Sequence, residues 1–119
     1  DNSLIFTNLV DFDEKYGHRR NAIGYAEALK TFDDFLPRIF AQMNDDDLLL
    51  ITADHGCDPT AAGSDHTREY VPVIAYRPGM TPVALGERET FADMGQTLAQ
   101  WFNLPDLDYG TGFKAALER

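Results

Sequence analysis

Leu48-Leu49-Leu50-Ile51-Thr52-Ala53-Asp54-His55-Gly56 is a continuous apolar run that stops abruptly in an acid, an imidazole and a glycine. A run this short, without polar alternation, predicts a β-strand buried on both faces whose C-terminal tip opens into a site. Open α/β sheets bind their ligands at that edge. Asp54 and His55 are neighbours and would point to opposite faces of a regular strand, so both reach one region only if the strand breaks there. Gly56 permits the break, and Pro59 follows it.

The pattern occurs a second time upstream. Leu4-Ile5-Phe6-Thr7-Asn8-Leu9-Val10 is β-rich and apolar, and it too ends in acid, Asp11-Phe12-Asp13, before Tyr16-Gly17-His18-Arg19-Arg20. It is predicted as a second strand. From Asn21 a helix is predicted, because Ala26, Leu29, Phe32, Leu36, Ile39, Phe40 and Met43 recur at three- and four-residue intervals. Pro37 is expected to kink or split it. Asn44-Asp45-Asp46-Asp47 lacks the Asp-x-Asp-x-Asp-Gly spacing of a calcium loop and reads as a solvated turn.

Downstream of the central run, Cys57 to Tyr70 is a loop of a length that compact domains keep for function. Val71-Pro72-Val73-Ile74-Ala75-Tyr76 is predicted as a third strand, with Pro72 at its start or on an edge. A helix is predicted from Phe91 to Phe102, with Thr90 or a neighbour as its cap and Phe91, Met94, Leu98 and Trp101 on its buried face. Residues 103–119 are irregular. Strand, helix, strand, loop, strand and helix together predict one α/β layer structure.

At 119 residues and 44% hydrophobic content the chain suits a single domain. A formal net charge of −10 excludes non-specific nucleic-acid binding and docking on anionic lipid. No apolar run approaches the roughly 20 residues needed to span a bilayer. The single cysteine, Cys57, has no intrachain disulfide partner, which fits a reducing, cytoplasmic compartment.

The candidate ligands are Asp11, Asp13 and His18 after the first run, Asp54 and His55 after the central one, and His66 on the long loop; they include every histidine of the chain. If neighbouring parallel strands carry the first two groups, their ends lie about 5 to 10 Å apart, close enough for one cluster. Carboxylate mixed with imidazole suits zinc or manganese, and the thiolates of a structural zinc site are missing. Five or six ligands exceed one tetrahedral ion but suit two ions about 4 Å apart, an arrangement that stabilises the attacking and leaving oxygens of phosphoryl transfer. Asp11 is the weakest candidate, and Cys57 reads as a small buried thiol. Arg19, Arg20 and Arg68 either hold a phosphate or neutralise a carboxylate-rich rim. Asp65 either orients an imidazole or is wet loop.

Asp11-Phe12-Asp13-x-x-Tyr16-Gly17-His18-Arg19-Arg20, Thr52-Ala53-Asp54-His55-Gly56-x-Asp58-Pro59-Thr60 and Asp65-His66-Thr67-Arg68-Glu69-Tyr70-Val71-Pro72 resemble the C-terminal part of the phosphopentomutases, dimetal members of the alkaline phosphatase superfamily. Phe91-Ala92-Asp93-Met94-Gly95-Gln96-Thr97 is similar to that family's last helix. The resemblance implies an alkaline-phosphatase-like core with a mostly parallel sheet flanked by helices. Residues 1–119 would form the C-terminal segment of that core, with its N-terminal part and the cap domain outside the chain. It also implies two Mn2+ or other divalent ions, one held by Asp54 and His55, the other by Asp13, His18 and His66. The implied reaction interconverts ribose or deoxyribose 1-phosphate and 5-phosphate through a phosphothreonine, with a bisphosphorylated sugar as activator. The nucleophilic threonine and a further aspartate would lie upstream, so no catalytic nucleophile is expected here, and the piece alone would be half an active site. Gly110-Thr111-Gly112-Phe113 departs from the family's Gly-Thr-Ser-Phe, and Cys57 stands where Asn is common. The competing readings are another phosphomutase or phosphatase of the superfamily, such as cofactor-independent phosphoglycerate mutase, and a non-catalytic metal-binding domain.

Overall fold

The helical periodicity after Asn21 is realised as α1, Ala22–Phe40, in a computed structural model that describes residues 2–118. The Asn21 side-chain oxygen caps it, accepting from the Gly24 amide at 2.9 Å. Pro37 does not divide the helix: it lies inside it, three residues before the end at Phe40, so only the final turn follows the donor it lacks. The half-buried stripe is Ala22, Tyr25, Ala28, Phe32, Leu36, Ile39 and Phe40. Ala26 and Leu29, predicted inward, are exposed. The cause is local, since Tyr25 packs edge-on against Phe12 at 5.4 Å between ring centroids and Gly24 lies against the Tyr16 ring.

Those two aromatic partners belong to a π-helical turn, Phe12–Gly17, that the sequence reading missed. Its wide hydrogen bond runs from the His18 amide to the Asp13 carbonyl at 2.9 Å, and the Asn21 amide repeats the spacing onto the Tyr16 carbonyl at 3.0 Å. The central apolar run supplies β1, Leu49–Ile51, which forms a two-stranded sheet with β2, Ile74–Tyr76. All three residues of β1 are half-buried, so the expectation of burial on both faces is corrected.

The strand predicted over Leu4–Val10 is also corrected. Its backbone joins no ladder among the described residues, and Ile5 and Phe6 are 87% and 85% exposed. β propensity describes fit to a pleated, half-buried surface; without a neighbouring strand it produces no strand.

The described residues divide into two compact units, 2–3, 45–49 and 75–118 in one, 4–44 and 50–74 in the other. The first contains α2, Ala92–Trp101, and α3, Lys114–Leu117. α2 begins one residue after the predicted Phe91, which is itself the cap residue and makes no side-chain cap bond; the Thr90 hydroxyl just ahead of it accepts from the Ala92 amide at 3.2 Å. Its buried face differs from the apolar one predicted: Asp93, Gln96, Thr97 and Ala99 are buried, whereas Phe91 is exposed. The irregular tail explains the difference, because it is tied to these polar groups. Gln96 donates to Asp106 Oδ1 at 2.7 Å and accepts from the Leu107 amide at 2.8 Å. The Thr97 hydroxyl donates to the Asp93 carbonyl at 2.7 Å and accepts from the Phe113 amide at 2.9 Å. Phe113, Leu117 and Ala99 then form the apolar core of this unit.

Asp93, only 4% exposed, anchors the arrangement: Oδ2 receives Arg88 Nε at 2.8 Å and Oδ1 receives the Thr111 amide at 2.8 Å. Asp93→Ala takes the anionic partner from the half-buried Arg88, which keeps only its bonds to the Leu85 and Thr111 carbonyls, and leaves the Thr111 amide without its acceptor, so we expect it to cost about 2 kcal/mol of stability. Urea unfolding checks this; a midpoint unchanged from the parent would show that the tail is held some other way. No helix among the described residues is long and apolar enough to cross a membrane.

Candidate metal centre

Three short stretches of the second unit supply the site. The π-helical turn places Asp13 and His18 one hydrogen-bonded step apart, so that His18 Nε2 stands 3.4 Å from Asp13 Oδ1. β1 ends at Ile51, and the irregular backbone after it lets both Asp54 and His55 turn to one region. His55 Nε2 is 3.7 Å from Asp54 Oδ1 and 3.6 Å from Asp13 Oδ1. The loop after Gly56 brings in His66, whose Nε2 is 3.4 Å from Asp13 Oδ1. The His66 ring stacks on His55 at 3.6 Å between centroids and tilts against His18 at 4.9 Å.

One carboxylate oxygen therefore has three imidazole nitrogens around it. Donors bound at about 2.1 Å to one tetrahedral ion stand about 3.4 Å apart, and about 3.0 Å apart around an octahedral one. The separations of 3.4 to 3.6 Å from Asp13 Oδ1 are of that size. Donor atoms of Asp13, His18 and His66 all lie within 4.8 Å of one another, a grouping that could hold a metal ion. Asp54 is at the edge, with its side chain 91% exposed.

The imidazoles are oriented from behind. His18 Nδ1 donates to the Ser64 carbonyl, and His55 Nδ1 donates to the Gly56 carbonyl at 2.9 Å. A carbonyl can only accept, so each contact puts a proton on Nδ1 and leaves Nε2 as the ring nitrogen turned toward Asp13. The loop is closed at its base by an antiparallel bridge between Gly56 and Thr67. The Asp58 amide donates to the Thr67 hydroxyl at 2.6 Å. The Asp58 carboxylate takes the Thr60 hydroxyl at 2.6 Å and the Thr60 amide at 2.8 Å, and these bonds hold its pKa below the usual carboxylate range.

Of the five predicted metal residues, Asp13, His18 and His66 form one donor group, His55 stands 3.6 Å from Asp13 beside it, and Asp54 lies at its edge, 3.7 Å from His55. Asp11 is not among them: it pairs with Lys15 at 2.9 Å on the exposed side of the turn. Cys57 also stays outside the donor group, packed against Gly17, and burial pushes its thiol up. Asp65 contributes its backbone carbonyl, which accepts from Arg20 at 2.5 Å. Arg19 and Arg68 are exposed. The sequence reading did not find the carbonyls of Ser64 and Gly56, which no side-chain pattern announces.

The sequence profile of the metalloenzyme superfamily matches residues 1–106. Over 113 residues, 95% of this chain, the sequence is 74% identical to the phosphopentomutase of Pseudoalteromonas translucida (strain TAC 125). It is 59% identical over 110 residues, 92% of the chain, to that of Yersinia enterocolitica serotype O:8 and 58% identical over the same length to that of Yersinia pseudotuberculosis serotype O:1b. The chain spans 28% of the length of the first of these relatives and 27% of the other two.

Proposed function

The chain belongs to the metalloenzyme superfamily, and on that premise we propose that it is the C-terminal, metal-binding segment of the catalytic core of a phosphopentomutase. The observation that carries the proposal is the Asp13 carboxylate with three imidazole nitrogens 3.4 to 3.6 Å from it, in a chain so similar to enzymes of that name. Superfamily membership and the Asp13, His18 and His66 triad both support divalent metal binding. In this reading Asp13, His18 and His66 hold one Mn2+, and Asp54 and His55 belong to a second. Leu4–Val10 becomes a strand of a larger, mostly parallel sheet flanked by helices. Its partners come from the part of the relatives' length that this chain does not span, which accounts for the exposure of Ile5 and Phe6.

The proposed reaction moves phosphate between the C1 and C5 oxygens of ribose or deoxyribose through a phosphothreonine, with a bisphosphorylated sugar as activator. It takes place in the cytoplasm. The threonine belongs to the same unspanned length. Two divalent ions, when bound, supply Lewis-acid neutralisation of the transferring phosphoryl group and lower the pKa of the nucleophilic hydroxyl. The residues of this chain do the holding. Ser64 and Gly56 orient His18 and His55 through Nδ1, and the Nε2 atoms of all three histidines stand 3.4 to 3.6 Å from Asp13 Oδ1, where an ion would be shared among them.

A graft tests the proposal: this chain replaces the matching 113 residues of the Pseudoalteromonas enzyme. The chimera is expected to convert ribose 1-phosphate to ribose 5-phosphate and to leave 3-phosphoglycerate untouched. His66→Ala in the chimera is expected to remove one Mn2+ per chain and lower turnover by about 10³-fold, the several kcal/mol that one such ion contributes. A folded, metal-loaded chimera without pentose phosphate turnover would refute it.

A further inference from the structure

Arg20 adopts a left-handed backbone conformation, φ 51°, rare for a residue with a side chain and costing roughly 1 kcal/mol or more. Its amide closes a tight turn on the Gly17 carbonyl at 3.0 Å. The guanidinium then spans to the long loop, where Nε donates to the Gly63 carbonyl at 2.8 Å and Nη2 to the Asp65 carbonyl at 2.5 Å. Nη1 donates to the Asp58 carbonyl at 3.1 Å and back to Gly17 at 3.4 Å.

Every partner is a backbone carbonyl. The Nε and Nη2 edge, with which an arginine grips a phosphate or carboxylate bidentately, is already filled. That removes the phosphate-holding alternative for this residue. The loop carbonyls are shared in alternation: Gly63 and Asp65 go to Arg20, while Ser64, between them, goes to His18 Nδ1. Asp65 directly precedes His66. One arginine and one histidine from the same turn thus fasten the three residues that lead into His66.

We propose that Arg20 is a positioning residue that sets the distance from His66 to Asp13 and His18, and through it the metal affinity of the centre. The metal half of this rests on the preceding proposal; the loop half does not. Lysine keeps the charge but has no planar fork with which to meet three carbonyls at once, so Arg20→Lys tests geometry rather than charge.

Two readouts separate the two halves. By hydrogen exchange without metal, Arg20→Lys and Arg20→Ala are expected to speed exchange of the amides of residues 58–66 while α1 stays protected. By Mn2+ titration followed by electron paramagnetic resonance, both are expected to weaken binding about 10- to 100-fold, as loss of an outer partner of a metal ligand does. Unchanged loop exchange in Arg20→Lys overturns the proposal. So does unaltered Mn2+ affinity accompanied by weaker binding of inorganic phosphate, which would make Arg20 an anion ligand. If the parent protein takes up no Mn2+, the metal reading falls, and the exchange result still judges the fastening of the loop.

Discussion

Asp13→Asn is expected to lower Mn2+ affinity by more than 100-fold while changing thermal stability by less than about 1 kcal/mol. The two effects part because the carboxylate has two unequal jobs. Toward the folded chain it is a side chain 37% exposed, facing histidines that are 23% to 50% exposed. Pairs so accessible to water contribute at most about 1 kcal/mol. Toward a divalent ion it is the only anionic donor of its triad, set among imidazoles 3.4 Å away. Loss of a partner one shell further out already costs 10- to 100-fold in affinity, so loss of the charged ligand exceeds that. Asparagine keeps the shape, so the loss reports charge and donor strength rather than packing. Competition against a chelator measures it. An affinity within threefold of the parent would mean that the three histidines hold the ion without Asp13.

Some of this was legible in the residues and some was not, for identifiable reasons. The run Leu48 to Gly56 announces a strand end, because an apolar stretch ending in Asp-His-Gly has to break, and Asp54 and His55 do face one region. The gathering of all three histidines follows from their placement after apolar runs, and α1 follows from its 3.6-residue period. The π-helical turn is hidden because its spacing of five residues belongs to neither regular period, yet it is what sets His18 against Asp13. Leu4–Val10 reads as a strand and is not one, since pairing is a property of two segments and sequence shows one at a time. The α2 face was misjudged for a similar reason. Asp93, Gln96 and Thr97 look solvent-facing until the tail arrives to satisfy them. Arg20 could be read two ways, and only the carbonyls it meets decide between them.

Gly56→Ala is expected to cost about 3 kcal/mol and, separately, to reduce Mn2+ affinity at least as much as the loss of Arg20. A Cβ there would lie 2.4 Å from the Glu69 carbonyl oxygen, 2.6 Å from its amide nitrogen and 2.9 Å from the Thr67 carbonyl oxygen. All three are backbone atoms, so no rotamer change relieves the clash and the two segments must separate by about 1 Å, an overpacking penalty at the upper end of the usual range. That displacement opens the bridge between Gly56 and Thr67 and strains the bond from the Asp58 amide to the Thr67 hydroxyl. It acts one residue from His55 on one side and one residue from His66 on the other, and these rings are stacked at 3.6 Å. Gly79→Ala, outside the loop, is the control. Its φ of +73° is strained for alanine, but nothing lies within 4 Å of the added carbon, so it should cost about 1 kcal/mol and leave metal binding intact. Unfolding and Mn2+ titration of the pair decide the matter. If Gly56→Ala matches the control in both, the close approach of residues 56 and 67–69 is not what keeps His66 in register with His55.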